Sequence, residues 1–285
     1  MKDALQMLAL AAVILVVGVL AYDQIFATKT PGRLEIRSVE GQVMHRTSEG
    51  EQPALVGSRL SKSDRVITSE GGRVSLTMGD STELELDSES SLAVVGSNRD
   101  GLKVELEGGR VQAVVRPGGT ALTVMSGERA VLAQNASFSV AMTGDGTSAV
   151  ESERGGLELS GFEGVDSLEE GQRVLAGPGG AVTVGPIPDA LLLDVRWPNE
   201  VTRESESQVV GKTEPGAVIW IEHNGKKIRT VADAEGHFSL PGIPLEQGEN
   251  AIVLHGEGIL GASQKTTGKL VRDSKAPTGA FEVSY

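Results

Sequence analysis

The chain has no cysteine among its 285 residues. That absence removes disulfide staples, thiolate metal sites and thiol nucleophiles together. Aromatic residues are scarce at 3%, with Trp197 and Trp220 the only tryptophans. A clustered basic face is also missing: the formal charge is -13 and the pI about 4.9. Nucleic acid is therefore not an expected partner, and anionic lipids or teichoic-type polymers are disfavoured as electrostatic ones. Past the first residues no segment carries a 3.6-residue apolar stripe, so helices are not expected there.

What is present begins with one long apolar run, Ala4 to Tyr22, in which Gln6 is the only strongly polar side chain. At about 1.5 Å per residue it spans roughly the 30 Å hydrocarbon core of a bilayer as a helix. Residues 1–27 are read as a transmembrane anchor or, alternatively, a signal peptide. Lys2 supplies a short positive n-region, and Val19 and Ala21 meet a small-residue cleavage rule. On either reading the bulk of the chain is exported. The expected location is the cell inner membrane, single-pass, with the C-terminal bulk in the periplasm or extracytoplasmic space.

Beyond the run, apolar and polar residues alternate with period two between turns rich in the 37 glycines and 11 prolines. Leu34 to Arg37, Val74 to Met78, Leu92 to Val95, Val111 to Val115, Ala121 to Met125, Phe138 to Ala141 and Leu157 to Leu159 read as strands. The motif Glu70-Gly-Gly-Arg-Val74 recurs as Glu107-Gly-Gly-Arg-Val111, each time opening an alternating strand, which suggests stacked β units. Proline and glycine at Gly177-Pro178-Gly179-Gly180 and Gly185-Pro186-Ile187-Pro188 interrupt the pattern. Residues 177–190 are read as an edge strand plus linker between two β domains.

Several of these residues together carry a resemblance. The ordered set Gly41-x-Val43, Gly57-x-x-Leu60-x-x-x-Asp64-x-Val66-x-Thr68, Arg73-Val74-x-Leu76, Leu84-x-Leu86, Ser91-x-x-Val94, Val104-x-Leu106, Gly109-x-Val111, Phe138-x-Val140 and Gly171-Gln172-Arg173-Val174 resembles the FecR domain. The likeness covers about residues 34–176. Asn135-Ala136 stands where the family usually has Gly-Thr. Residues 191–285 resemble bacterial immunoglobulin-like modules of cell-envelope proteins. The carriers are Val210-Gly211-Lys212-Thr213-Glu214-Pro215-Gly216-Ala217, Asn224-Gly225, Asp233-x-x-Gly236-x-Phe238 and Gly248-x-Asn250. Asn224-Gly225 is a type I′ hairpin signal. The fold class expected is all-β after one N-terminal transmembrane helix: a FecR-like stacked β domain, then an immunoglobulin-like β-sandwich.

The resemblance implies regulation across a membrane, since well-known FecR proteins carry a cytoplasmic anti-sigma segment ahead of the helix. Only Met1, Lys2 and Asp3 precede the apolar run here. The expectation is a non-catalytic extracytoplasmic binding or scaffold protein that engages another envelope protein. The alternatives are a peptidoglycan or glycan binder and an accessory sensor in a cell-surface signalling system.

Candidate chemistry is thin, and no enzyme, cofactor or metal is expected. His45, His223, His237 and His255 lack HExxH or related spacing and read as strand or turn surface residues. Ser126 and Ser160 lack the G-x-S-x-G frame. Asp80, Glu83, Glu85 and Asp87 alternate along a strand, where glycosidase carboxylates are conceivable but a solvated face is the simpler reading. Asp145, Asp233 and Glu235 offer oxygen ligands without a 12-residue calcium loop. Trp220 lies in an apolar run and reads as core. Trp197, between Arg196 and Pro198, is the candidate ligand contact.

Overall fold

A computed structural model describes residues 33–98, 101–198 and 201–275. The apolar run at 4–22, and with it the expected anchor, lies outside these residues, as does the tail 276–285. The described residues are all β. No helix among them is long and apolar enough to cross a membrane. The described residues form one compact unit, inside which two large hydrophobic cores are distinct.

A chain weaving between two facing sheets builds the first core. Leu34–Glu40 (β1) lies in the first sheet, and the hairpin of Val43–Thr47 (β2) and Gly50–Pro53 (β3) lies in the second. Arg59–Leu60 (β4) returns beside β1, and Arg65–Thr68 (β5) pairs with β2. The hairpin of Arg73–Met78 (β6) and Thr82–Leu86 (β7) rejoins β1, and Ser91–Ser97 (β8) joins β5. Leu102–Val115 (β9) belongs to both sheets, its first half paired with β8 and its second with β7.

Beyond β9 the weave continues. Leu122–Ser126 (β10) and Arg129–Ala133 (β11) extend the second sheet, and Ala136–Met142 (β12) and Ser148–Arg154 (β13) extend the first. Leu157–Ser160 (β14) and Ser167–Leu168 (β15) return to the second, and Gln172–Ala176 (β16) and Val182–Pro186 (β17) close the first. Every pairing is antiparallel except that of β9 with β10. Pro186 ends β17 at the sheet edge, where its missing N–H breaks no ladder.

Period-two alternation is the reason these segments pair this way. In β6, Val74, Leu76 and Met78 are buried while Ser75 and Thr77 face outward, and the inward residues of both sheets meet in one core. Strand β9 shows how the chain changes sheets. Leu102, Val104 and Leu106 are buried in its first half, then Val111, Ala113 and Val115 in its second. The alternation slips by one residue at Gly108-Gly109. Gly109 has φ +87°, and a Cβ there would lie 2.0 Å from Ser90 Oγ. Glycine is what lets the strand cross.

The second core is a sandwich. Asp194–Arg196 (β18), Glu206–Lys212 (β19) and His237–Pro244 (β22) make one sheet. Lys226–Val231 (β21), Val218–His223 (β20), Gly248–Glu257 (β23) and Ser263–Arg272 (β24) make the other, in that order. Val209, Ile219, Ile221, Leu240, Ile252 and Leu254 fill the space between. Asn224 and Gly225 join β20 to β21 with φ of +50° and +73°, the positive pair that the dipeptide predicts.

Candidate functional site

The repeated Glu-Gly-Gly-Arg motif places two arginines around one carboxylate. Arg73 opens β6 and Arg110 follows the crossing in β9. Asp87, just past β7, receives Arg73 Nη2 at 3.0 Å and Arg110 Nε at 2.5 Å. Asp87 in turn raises the Arg73 guanidinium above its ordinary value, by its charge first and its hydrogen bond second. The alternating acids therefore do not form one solvated face. Glu83 pairs with Arg116 at 3.1 Å and Glu85 with Arg73 at 3.1 Å near solvent, whereas the side chain of Asp87 is only 12% exposed.

A third version of the motif, Glu170-Gly171-Gln172-Arg173, lacks the second glycine and carries the chain from β15 to β16. Arg173 Nη2 lies 2.6 Å from Glu214 Oε2, which belongs to the second lobe. Its Nη1 is 3.7 Å from Glu151 Oε1 on β13. Glu214 Oε1 also accepts the Ile259 N–H at 3.0 Å, and next to Ile259, Leu260 packs on Ala141 and Ala149 of the first sheet. The turns before β20 and after β23 thus dock on the outer face of β12, β13 and β16. Burial is the largest influence on the Glu151 carboxyl. With help from Glu214 and Glu153 it outweighs the pull of Arg173 and holds the group above its usual range.

Beside this contact the lobes line an open cleft of about 380 Å³. Its first-lobe wall includes Glu70, Glu89, Arg110 and Met142, and its second-lobe wall includes Val218, Trp220, Arg229 and Glu257. Arg229 and Glu89 face each other across it at 3.5 Å, and Arg110 and Glu257 at 4.0 Å. Trp220 is half-buried on the outer side of β20, between core residues Ile219 and Ile221. Its ring stacks on that of His255 at 5.2 Å and 12°. The apolar run around Trp220 thus does not place it in the core.

Trp197 is half-buried and packs against the second core. Its indole covers Gly268 so closely that a Cβ there would fall 2.1 Å from Cδ2. His45 is buried, not a surface residue, and its Nε2 lies 3.3 Å from Asp64 Oδ2. It falls two residues after the inward Val43, a phase that sequence reading missed. His237 is exposed, and His223 lies 3.5 Å from Asn250 Oδ1. Ser126 is buried against Ser148 at 3.1 Å, and Ser160 is exposed.

Asp145 and Asp233 serve turns. Burial works against the Asp145 carboxylate, yet the Thr143 hydroxyl and the Thr147 N–H bind it and hold it below its ordinary range. Asp233 accepts the N–H groups of Glu235 at 3.1 Å and His237 at 2.7 Å. Among the described residues no group of three or more His, Asp or Glu is placed to hold a metal ion.

Residues 64–158 match the FecR protein family. The matched stretch runs from Asp64 through the Asp87 clasp and both glycine crossings into β14, so this part of the first lobe is FecR-like. No curated protein sequence matches the chain. Among solved structures, two crystal structures of a candidate anti-sigma factor from Parabacteroides distasonis are similar. They are 21% and 20% identical, each with a TM-score of 0.39, covering 43% of this chain and 59% of that one. The chain thus spans less than two thirds of that relative. A Ca²⁺-stabilised ice-binding adhesin of an Antarctic bacterium is 12% identical with a TM-score of 0.22, covering 85% of this chain and 91% of that one.

Proposed function

We propose that this protein is a non-catalytic binding protein of the bacterial cell envelope. In this reading it is anchored through residues 4–22, with its FecR-like lobe and an immunoglobulin-like second lobe outside the cytoplasm. The FecR match across residues 64–158 carries the reading. The charges on the outer face of the first sheet support it. Glu83, Glu85 and Asp87 are each paired with an arginine, which suits a recognition surface and leaves none of the three a free acid or base. The order β18-β19-β22 against β21-β20-β23-β24 supports the immunoglobulin-like assignment.

A second reading, an accessory role in cell-surface signalling, draws on the same match. The two divide over the apolar run. In-cell crosslinking of the full chain is expected to capture a discrete envelope protein. Replacing residues 4–22 by an unrelated membrane helix should preserve that crosslink for a scaffold and abolish the output for a signalling accessory. Hydrolysis of peptidoglycan fragments that is lost on Glu83→Gln or Glu85→Gln would overturn both.

A further inference from the structure

The cleft between the lobes combines features that neither lobe has alone. Its volume of about 380 Å³ falls within the range of roughly 300–1,000 Å³ typical of small-ligand sites. Met142, Val218 and Ile259 supply apolar lining. Trp220 adds an indole stacked on the His255 ring, and on the neighbouring strand β21 its register partner is Arg229. No cation is stacked on that indole among the described residues; the one such contact is Arg129 with Phe162.

The charges narrow what such a ligand is, chiefly by weighing against an anion. Glu89 is already matched to Arg229, and Glu257 to Arg110, each pair spanning the two lobes. An anionic ligand would have to break a pair to find its counterion, because Arg110, Lys227 and Arg229 in the lining are each matched to a carboxylate, whereas Glu70 is a lining carboxylate with no ion pair among the described residues. A neutral polyhydroxyl ligand breaks none. Its hydroxyls donate to the carboxylates and accept from the guanidinium groups, while its apolar C–H face lies on the indole.

We propose that this cleft binds a neutral saccharide, about one or two sugar units of an envelope glycan, with Trp220 as the stacking surface and the Glu89–Arg229 and Glu257–Arg110 pairs as hydroxyl partners. The proposal rests on the reading of the chain as an envelope binding protein and names a ligand class for it.

The test uses the full chain in a non-glycosidic detergent, in a Trp197→Phe background that leaves Trp220 as the single tryptophan. Its fluorescence is followed during titration with chitotetraose, cellotetraose and an oligogalacturonate. A saturable change with a neutral oligomer is expected, weakened at least about tenfold by Glu89→Gln or Arg229→Gln. In the wild-type chain followed by calorimetry, Trp220→Ala should remove binding. The two rim variants keep the test decisive if Trp220→Ala fails to fold. Three results overturn the site: no saturable change below about 10 mM, tighter binding of the oligogalacturonate, or affinity unmoved by the rim variants. An in-cell protein crosslink that persists beside a failed titration removes the saccharide site and leaves the envelope-binding reading standing.

Discussion

At Glu70-Gly71-Gly72-Arg73 the chain leaves β5, turns and enters β6. At Glu107-Gly108-Gly109-Arg110 it passes between the same two sheets without ending a strand. Both routes deliver an arginine to Asp87. They differ in how the glycines share the work. In the first, Gly71 takes the positive φ of +71° in open space, while Gly72 is the crowded residue, its would-be Cβ 2.5 Å from Gln42 O. In the second, Gly109 bears both burdens and Gly108 has nothing within 4 Å of its would-be Cβ. A turn can divide conformational freedom and close approach between neighbours. A continuous strand concentrates both at the one residue where its alternation slips.

The largest effect is expected from removing what the two copies share. Asp87→Ala leaves Arg73 and Arg110 without their common acceptor and is expected to cost about 4 kcal/mol in denaturant unfolding. Asp87→Asn should recover part of it, because the amide oxygen still accepts. A cost no larger for Asp87→Ala than for Glu85→Ala would show that the clasp is an ordinary surface pair.

The glycines come next. Gly109→Ala should cost about 3 kcal/mol from strain and overlap with Ser90, and Gly72→Ala about 2 kcal/mol from overlap alone. Gly71→Ala should cost about 1 kcal/mol for its left-handed backbone, and Gly108→Ala should lie within about 0.5 kcal/mol of the parent. Midpoints from one denaturation series give the ranking, and equal effects at Gly108 and Gly109 would contradict the division of labour.

The smallest effect is expected at the third crossing, where Arg173 meets Glu151 and Glu214. Burial, the largest cause, raises the Glu151 carboxyl in the folded chain. The folded state therefore keeps this proton at a pH where the unfolded chain has released it. Stability from this group is gained as pH falls through the folded pKa and lost as pH rises through it. Glu151→Gln should flatten that step, which lies between the ordinary carboxylate value and the raised one. A pH–stability difference curve between the two proteins checks the sign, and a rise of the difference in the opposite direction would refute it.

Much of the all-β architecture was legible in the chain. Val74, Leu76 and Met78 in β6 and Leu84 and Leu86 in β7 alternate and are buried as period two requires. Asn224-Gly225 makes the hairpin that its dipeptide implies. The repeated Glu-Gly-Gly-Arg was visible as a repeat, but its work was not. Nothing local says that both arginines reach one carboxylate, and the third copy hides because glutamine replaces its second glycine. The candidate site was less legible still. Trp197 lies on Gly268, and Trp220, outward between Ile219 and Ile221, lines the cleft.

By itself the sequence determined which residues pair into strands and which face of each strand is apolar, because side-chain direction alternates with every peptide unit. Only the tertiary structure decided what each outward face meets. Glu83, Glu85 and Asp87 share one periodicity, yet Asp87 alone sits where β9 returns with Arg110. Ala141, Ala149 and Leu175 are covered because Ile259 and Leu260, far along the chain, dock there. Period two fixes a direction relative to the strand; burial, charge pairing and the cleft depend on contacts between strands that no local pattern encodes.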